Sequence, residues 1–262
     1  MNIMRLKFMS TLLMVFPLAS LAEVECRDII TTAEVLTENL ICSDTPALTI
    51  EGPTGSLNMN GFTLECRAPD RGIDLLGTGA VLSNGIIEDC SIGVFVNGDG
   101  FHSVQSMTIQ DSFDIGILLL SENNTVSGST VTGSINRAID ILGANNSVIG
   151  NFIFDNQGGA PRGIAIGGDN AFVSQNFCDD NEGAGIVIES SSGGLVIQNV
   201  VTNNSQTGIS MEGGGQSDYL VAGNIATDNP DGDLVDSNPD ACMSTNLWYG
   251  NIFDTADPSC LE

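Results

Sequence analysis

The sequence predicts an all-β solenoid, a single-stranded parallel β-helix with coils of about 23 residues. Three observations carry that expectation. A short phrase, Gly-apolar-any-apolar, returns at Gly72, Gly93, Gly116, Ala138, Gly163, Gly185 and Gly208, at intervals of 21 to 25 residues. Between returns, apolar residues alternate with polar ones at period two and stop at Asn or Gly, with no helical period. The 31 glycines are spread evenly through 262 residues, which disfavours helices. A unit this short cannot bury its apolar face alone, whereas stacked coils can. At roughly 4.8 Å per coil, seven counted coils make a rod of about 34 Å before its ends are added.

Residues 1–22, MNIMRLKFMSTLLMVFPLASLA, have a basic start at Arg5 and Lys7, an apolar run from Phe8 to Leu18, and small residues at Ser20 and Ala22. This is the pattern of a cleaved signal peptide, and its apolar run is too short to span a bilayer. The expected location is therefore secreted or periplasmic. Removing the segment leaves five arginines, no lysine and one histidine, His102, against 33 acids, a net charge of −28. Such a surface has almost nothing to neutralise phosphates, which excludes nucleic acid and disfavours anionic membranes. Mechanisms that need a lysine base or a histidine cluster are excluded too.

Residues 23–47 read as an N-terminal cap, 48–234 as the coils and 235–262 as a C-terminal cap. In the first strand of each coil the inward pairs are Ile73 and Leu75, Val94 and Val96, Ile117 and Leu119, Ile139 and Ile141, Ile164 and Ile166, Ile186 and Ile188, and Ile209 and Met211. Val81, Val104, Val126, Val148, Val173, Val196 and Val221 form a second inward stack. A third holds Ile87, Ile109, Val131, Ile153, Cys178, Val201 and Ala226. Asn151, Asn176, Asn199 and Asn224 fall in one turn column, and Asn156, Asn181, Asn204 and Asn229 in another. Stacked amides of this kind satisfy one another's hydrogen bonds.

Seven cysteines in an exported chain imply disulfides and one thiol left over. The preferred pairing by spacing is Cys26 with Cys42, Cys66 with Cys90 and Cys242 with Cys260, which staples both ends of the stack. Each bridge contributes about 3 kcal/mol on the chain-entropy account. Cys178 sits inward, as a buried free thiol.

With the coils laid out, the chain resembles the right-handed parallel β-helix superfamily of secreted proteins, the pectin-lyase-like fold. The opening CRDIITTAEVLTENLIC and PALTIEGPTGSLNMNGFTLEC are similar to the superfamily's cap and first coils. The ending DLVDSNPDACMSTNLWYGNIFDTADPSC is similar to its C-terminal segment. The resemblance implies right-handed coils and, among relatives that are enzymes, lyase, hydrolase or epimerase action on polysaccharides. Of the polygalacturonase motifs only an Asp pair, Asp179 and Asp180, is present, and the Tyr-Gly-x-Asp-Pro-His motif of alginate epimerases is absent. The expectation is a secreted binding or structural protein associated with extracellular or cell-surface glycans. The alternatives are a lyase or hydrolase with an unrecognised site, or a purely structural or adhesion protein.

Candidate site residues follow from the register. Arg71, Arg137 and Arg162 each precede a first strand, and Asp140 is outward on the strand after Arg137. Arg137, Asp140 and Arg162 could clamp an anionic sugar, with Asp140 as acid or base. They could equally form surface ion pairs with Asp155 or Asp169. Outward Phe95, Leu118, Leu120 and Leu142, beside Asp74 and Asp140, make an apolar strip with acidic edges. Phe152, Phe154, Phe172 and Phe177 also alternate outward, as a ligand-binding face unless the loop from Gln157 to Arg162 or a partner subunit covers them. No cofactor is required. Calcium is an option in the acidic stretch containing Asp228, Asp231, Asp233 and Asp236. Asn123, Asn145 and Asn203 begin Asn-x-Ser/Thr sequons.

Overall fold

A computed structural model describes residues 23–67, 71–158 and 161–261. The expected signal peptide, 1–22, lies outside the described residues. The chain winds as a parallel β-solenoid of about ten coils, each coil giving one short strand to each of three parallel sheets. The first sheet has 11 strands and the second and third have 10 each. Every strand pairs with its counterpart one coil above and below, which gives a stack about 48 Å tall. No helix among the described residues is long and apolar enough to cross a membrane.

The inward residues of the first sheet stand in register as the repeat requires, Ile73 under Val94, then Ile117, Ile139, Ile164, Ile186 and Ile209, all without solvent exposure. Valine, isoleucine and leucine suit these strands, whose inner faces are packed at every coil. The second stack departs from expectation at one place. Leu82, not Val81, pairs with Val104 and is buried, while Val81 is outward and half-buried. The cause is a one-residue slip in alignment, which carries a side chain to the opposite face of a strand. The third stack is as expected.

Through the central coils each corner between sheets includes a residue in the left-handed conformation, such as Asp155 (φ 54°), Asn145 (φ 58°) or Gln175 (φ 57°). The residue after it points inward and faces its counterparts in the next coils. In the C-terminal half these inward corner residues are the two expected asparagine ladders. Asn176 accepts from the backbone N–H and Nδ2 of Asn151 at 2.9 Å each, and its Nδ2 donates to the Val148 carbonyl and Asn199 Oδ1. The first ladder runs on to Asn251, and the second ends on the Asp233 carboxylate. A third corner carries a further ladder that the sequence reading missed: His102 N–H donates to Asn124 Oδ1, and Asn124 N–H to Asn146 Oδ1. Higher in that column Gly194 makes room for Tyr219, whose ring would lie 2.2 Å from any Cβ at that glycine.

The coils extend past 48–234 at both ends. Strands at Ile29–Ile30, Ala33–Val35 and Leu40–Cys42 already pair into the three sheets, and Leu247–Tyr249 and Ile252–Phe253 continue them at the other end. Disulfides join Cys26 to Cys42, Cys66 to Cys90 and Cys242 to Cys260, and Cys178 is free and buried.

Candidate functional site

The outward face of the first sheet holds the densest polar constellation. Three columns cross it. Arg71, Ile92, Ile115, Arg137, Arg162 and Ala184 occupy one register, so the three arginines do share a column. The next outward column runs Asp74, Phe95, Leu118, Asp140, Ala165 and Val187. One residue beyond the inward pair lie exposed Leu120 and Leu142, then Gly167, Glu189 and Glu212.

The arginine side chains run diagonally across the coils to acids higher in the stack. Arg137 bonds Asp140 at 2.6 Å and reaches two coils up to Glu189 at 3.3 Å. Arg162 pairs with the same Glu189 and with Glu212 at 3.2 Å. The result is a ladder of alternating charge, Asp140, Arg137, Glu189, Arg162, Glu212. Neither Asp155 nor Asp169 takes part, contrary to expectation. Glu189 lies two coils above Arg137 and one above Arg162, and Glu212 two above Arg162, which spacing within one repeat does not reveal. A shallow cavity of about 280 Å³ opens beside the ladder, lined by Arg162, Glu189, Ser190, Glu212 and Gly213.

Two expected features of this face are corrected. Asp74 and Asp140 point away from the core but are covered, only 4% and 2% exposed, because Arg71 and Arg137 fold over them. Leu118 is buried as well, and Arg71 stacks over the Phe95 ring at 4.4 Å. The strip with acidic edges is thus closed at its centre. Burial pushes the Asp74 carboxyl up to about 6, against the opposing pull of Arg71. Burial also raises Asp140, with the Arg137 hydrogen bond and the Arg137 and Arg162 charges pulling the other way. One oxygen of each aspartate has no hydrogen-bond partner.

The phenylalanines divide. Phe152, Phe154 and Phe177 lie on the third sheet, with Phe152 and Phe177 ring centroids 6.3 Å apart, whereas Phe172 belongs to the second sheet. Phe152 and Phe154 remain exposed, so the described part of the loop from Gln157 to Arg162 does not cover them.

In the acidic stretch the Asp233 carboxylate is held by groups of the chain itself. Asp233 Oδ1 accepts from the Asn229 backbone and side chain, and its Oδ2 accepts from the Asp254 N–H and from the N–H and hydroxyl of Thr255. Burial opposes ionisation of Asp233, yet the Asn229 and Thr255 hydrogen bonds outweigh it and hold the carboxyl below the usual range. Asp236 accepts from Asn238 and from the Trp248 indole at 3.4 Å. Among the described residues no three His, Cys, Asp or Glu side chains are grouped to hold a metal ion.

His102 is spent structurally. Its Nδ1 accepts from the Ala80 N–H at 3.0 Å and its Nε2 faces the Asn97 carbonyl at 2.8 Å, so the neutral Nε2–H tautomer satisfies both. Burial lowers its pKa. Burial likewise drives the Cys178 thiol far above the usual range, which leaves no thiolate.

A disulfide-stapled parallel solenoid with one charge-laddered outward face defines a class of stacked-coil proteins. Comparison narrows it: residues 92–247 match the model of the family described as right handed beta helix region, and the chain belongs to that family. Among solved structures it is similar to the periplasmic alginate epimerase AlgG, with a TM-score of 0.66 and 12% identity, over 86% of this chain and 60% of that one. The A-module of the Azotobacter vinelandii mannuronan C-5 epimerase AlgE6 matches with a TM-score of 0.65 and 12% identity, over 89% of this chain and 74% of the other. Tailspike protein 2 of a bacteriophage of Escherichia coli O157:H7 matches with a TM-score of 0.59 and 10% identity, over 87% and 37%. The chain thus spans about 60% of the length of AlgG. No curated protein matches it by sequence.

Proposed function

We propose that this protein is an exported, non-catalytic β-helix that binds a neutral glycan on the outward face of its first sheet. The observation that carries the reading is the ladder from Asp140 to Glu212. It fixes guanidinium donors and carboxylate acceptors beside a shallow cavity, with exposed Leu120 and Leu142 on the same face. Sugar hydroxyls need paired donors and acceptors, and the C–H faces of sugar rings need apolar surface. Three carboxylates answer two arginines, so the ladder carries about one net negative charge. A polyuronate meets no free cation there and is repelled by the rest of the chain. Fold relatives named for alginate and mannuronan support a polysaccharide ligand, and its neutral charge rests on the ladder and the acidity of this chain alone.

A screen of neutral and acidic polysaccharides by calorimetry tests this. Binding confined to neutral glycans and weakened at least tenfold by Arg162→Ala is expected; absence of any glycan ligand would favour a purely structural or adhesion role. A second reading rests on Asp140, whose buried carboxyl with a raised pKa suits a general acid. Turnover in reducing-end, unsaturated-uronate or epimerisation assays that Asp140→Asn abolishes would establish that reading and remove the non-catalytic one.

A further inference from the structure

On the corner between the second and third sheets, the outward surface changes character halfway along the stack. In the second sheet the first outward column reads Ser56, Val81, Ser103, Thr125, Ser147 and then Phe172, Leu195, Leu220, Leu247. The first outward column of the third sheet reads Thr63, Ile86, Thr108, Thr130 and then Phe152, Phe177, Val200, Ile225, Ile252, and between the two columns lie Ser174, Ile197, Ala222 and Tyr249. Phe154 and Tyr249 enlarge the apolar half, Tyr249 being 75% exposed. Within the described strands of this half the charged outward residue is Asp179, whose carboxylate is held by Thr202 and Asn203.

We infer that this corner is an interface, and that a second copy of this chain covers it in solution. Area is the first reason. The seven residues there that are individually exposed present roughly 700 Å² between them, above the 300–600 Å² of a typical monomer's largest apolar patch and most of the roughly 800 Å² that one partner gives to a standard interface. Charge is the second. Two chains of net charge −26 can approach closely only where carboxylates are sparse, and the described strands of this corner carry one acid, Asp179, with Asp155, Asp180 and Asp228 along the far edge of the third sheet. The rival occupants fit less well. A sugar would find leucine and isoleucine where its hydroxyls need partners, and an anionic lipid surface would repel the chain. The face is separate from the proposed glycan face, so either can fail alone.

The test uses protein exported by its expression host, with the mass of the secreted chain measured, followed by sedimentation equilibrium. A self-associated species is expected, strengthened between roughly 20 and 500 mM salt as screening relieves the mutual repulsion. Leu195→Ser and Ile225→Thr copy the residue types of the N-terminal coils onto exposed positions. Each is expected to raise the dissociation constant about tenfold with little change in melting temperature. Should either variant misfold, hydroxyl-radical footprinting of Tyr249 in the unaltered protein replaces it, with protection expected at high protein concentration and lost on dilution. A monomer at both salt concentrations, or variants that associate like the parent, would overturn the inference. So would a monomer in which Tyr249 is shielded only after a neutral polysaccharide is added.

Discussion

Asn145 and Asn146 are neighbours in one corner, and the same change at each should have very different costs. Asn146 is fully buried; its Oδ1 accepts from the Asn124 N–H at 2.8 Å, and its Nδ2 donates to the carbonyls of Ser121 at 3.0 Å and Gly143 at 2.8 Å. Asn146→Asp keeps the shape and the acceptor but turns an oxygen toward those two carbonyls. Two buried acceptors lose their partner at about 1–3 kcal/mol each, and a buried charge adds to that, so about 3–5 kcal/mol is expected at pH 7. For a chain this size each kcal/mol moves the melting temperature by roughly 2–4 °C, which makes the shift about 10 °C. Asn145→Asp, at an exposed left-handed position that tolerates either residue, should cost within about 0.5 kcal/mol. The pH dependence has a definite sign. Burial raises the folded-state pKa of the new carboxyl above its unfolded value near 3.9, so the deficit is smallest below that value and grows as pH rises through the folded pKa. Circular-dichroism melts of parent and variants at pH 4 and pH 7 read all of this. Equal melting temperatures for the two variants, or a deficit that shrinks with rising pH, would refute the ladder.

Three further outcomes are expected. Leu82→Ala should cost about 2–5 kcal/mol in urea unfolding and Val81→Ala under about 1, and the reverse order would return Val81 to the core. His102 has a folded-state pKa below its unfolded value near 6.5, so the unfolded chain takes up the proton first. The stability His102 contributes is full above about pH 6.5 and is lost as pH falls. His102→Asn, which restores a ladder amide, should flatten that loss, and an unchanged pH slope would count against the assigned tautomer. Asp74 acts with the opposite sign: its stabilising contribution is lost as pH rises from about 4 through about 6, and carboxyl NMR should find a midpoint near 6.

Periodicity made the core legible because each inward residue repeats one coil later in the same environment. The slip at Val81 was visible in the spacing itself. Val81 precedes Ile87 by six residues, whereas Val104 precedes Ile109 by five, as in every later coil. The arginine column was legible for the same reason, but its partners were not. An arginine side chain is long enough to cross two coils, so Arg137 meets Glu189 over the intervening coil and the partner does not fall in the same repeat. Extending the repeated phrase by one residue, to Gly-Ile-Val-Ile-Glu at Gly185 and Gly-Ile-Ser-Met-Glu at Gly208, would have shown both acids in register. The burial of Asp74 and Asp140 was hidden because outward direction and exposure differ where a neighbouring side chain folds down. The disulfide pairing followed from coil spacing and agrees with the structure.

The one-residue corner has a consequence for how the sequons arise. A left-handed asparagine, an inward ladder asparagine and an outward serine or threonine in succession let the chain turn, pair and move on. Asn123-Asn124-Thr125 and Asn145-Asn146-Ser147 are two such corners, and Asn203-Asn204-Ser205 follows the same order at another. In this protein an Asn-x-Ser/Thr match is the spelling of a bend, written by backbone geometry, whether or not any sugar is ever attached.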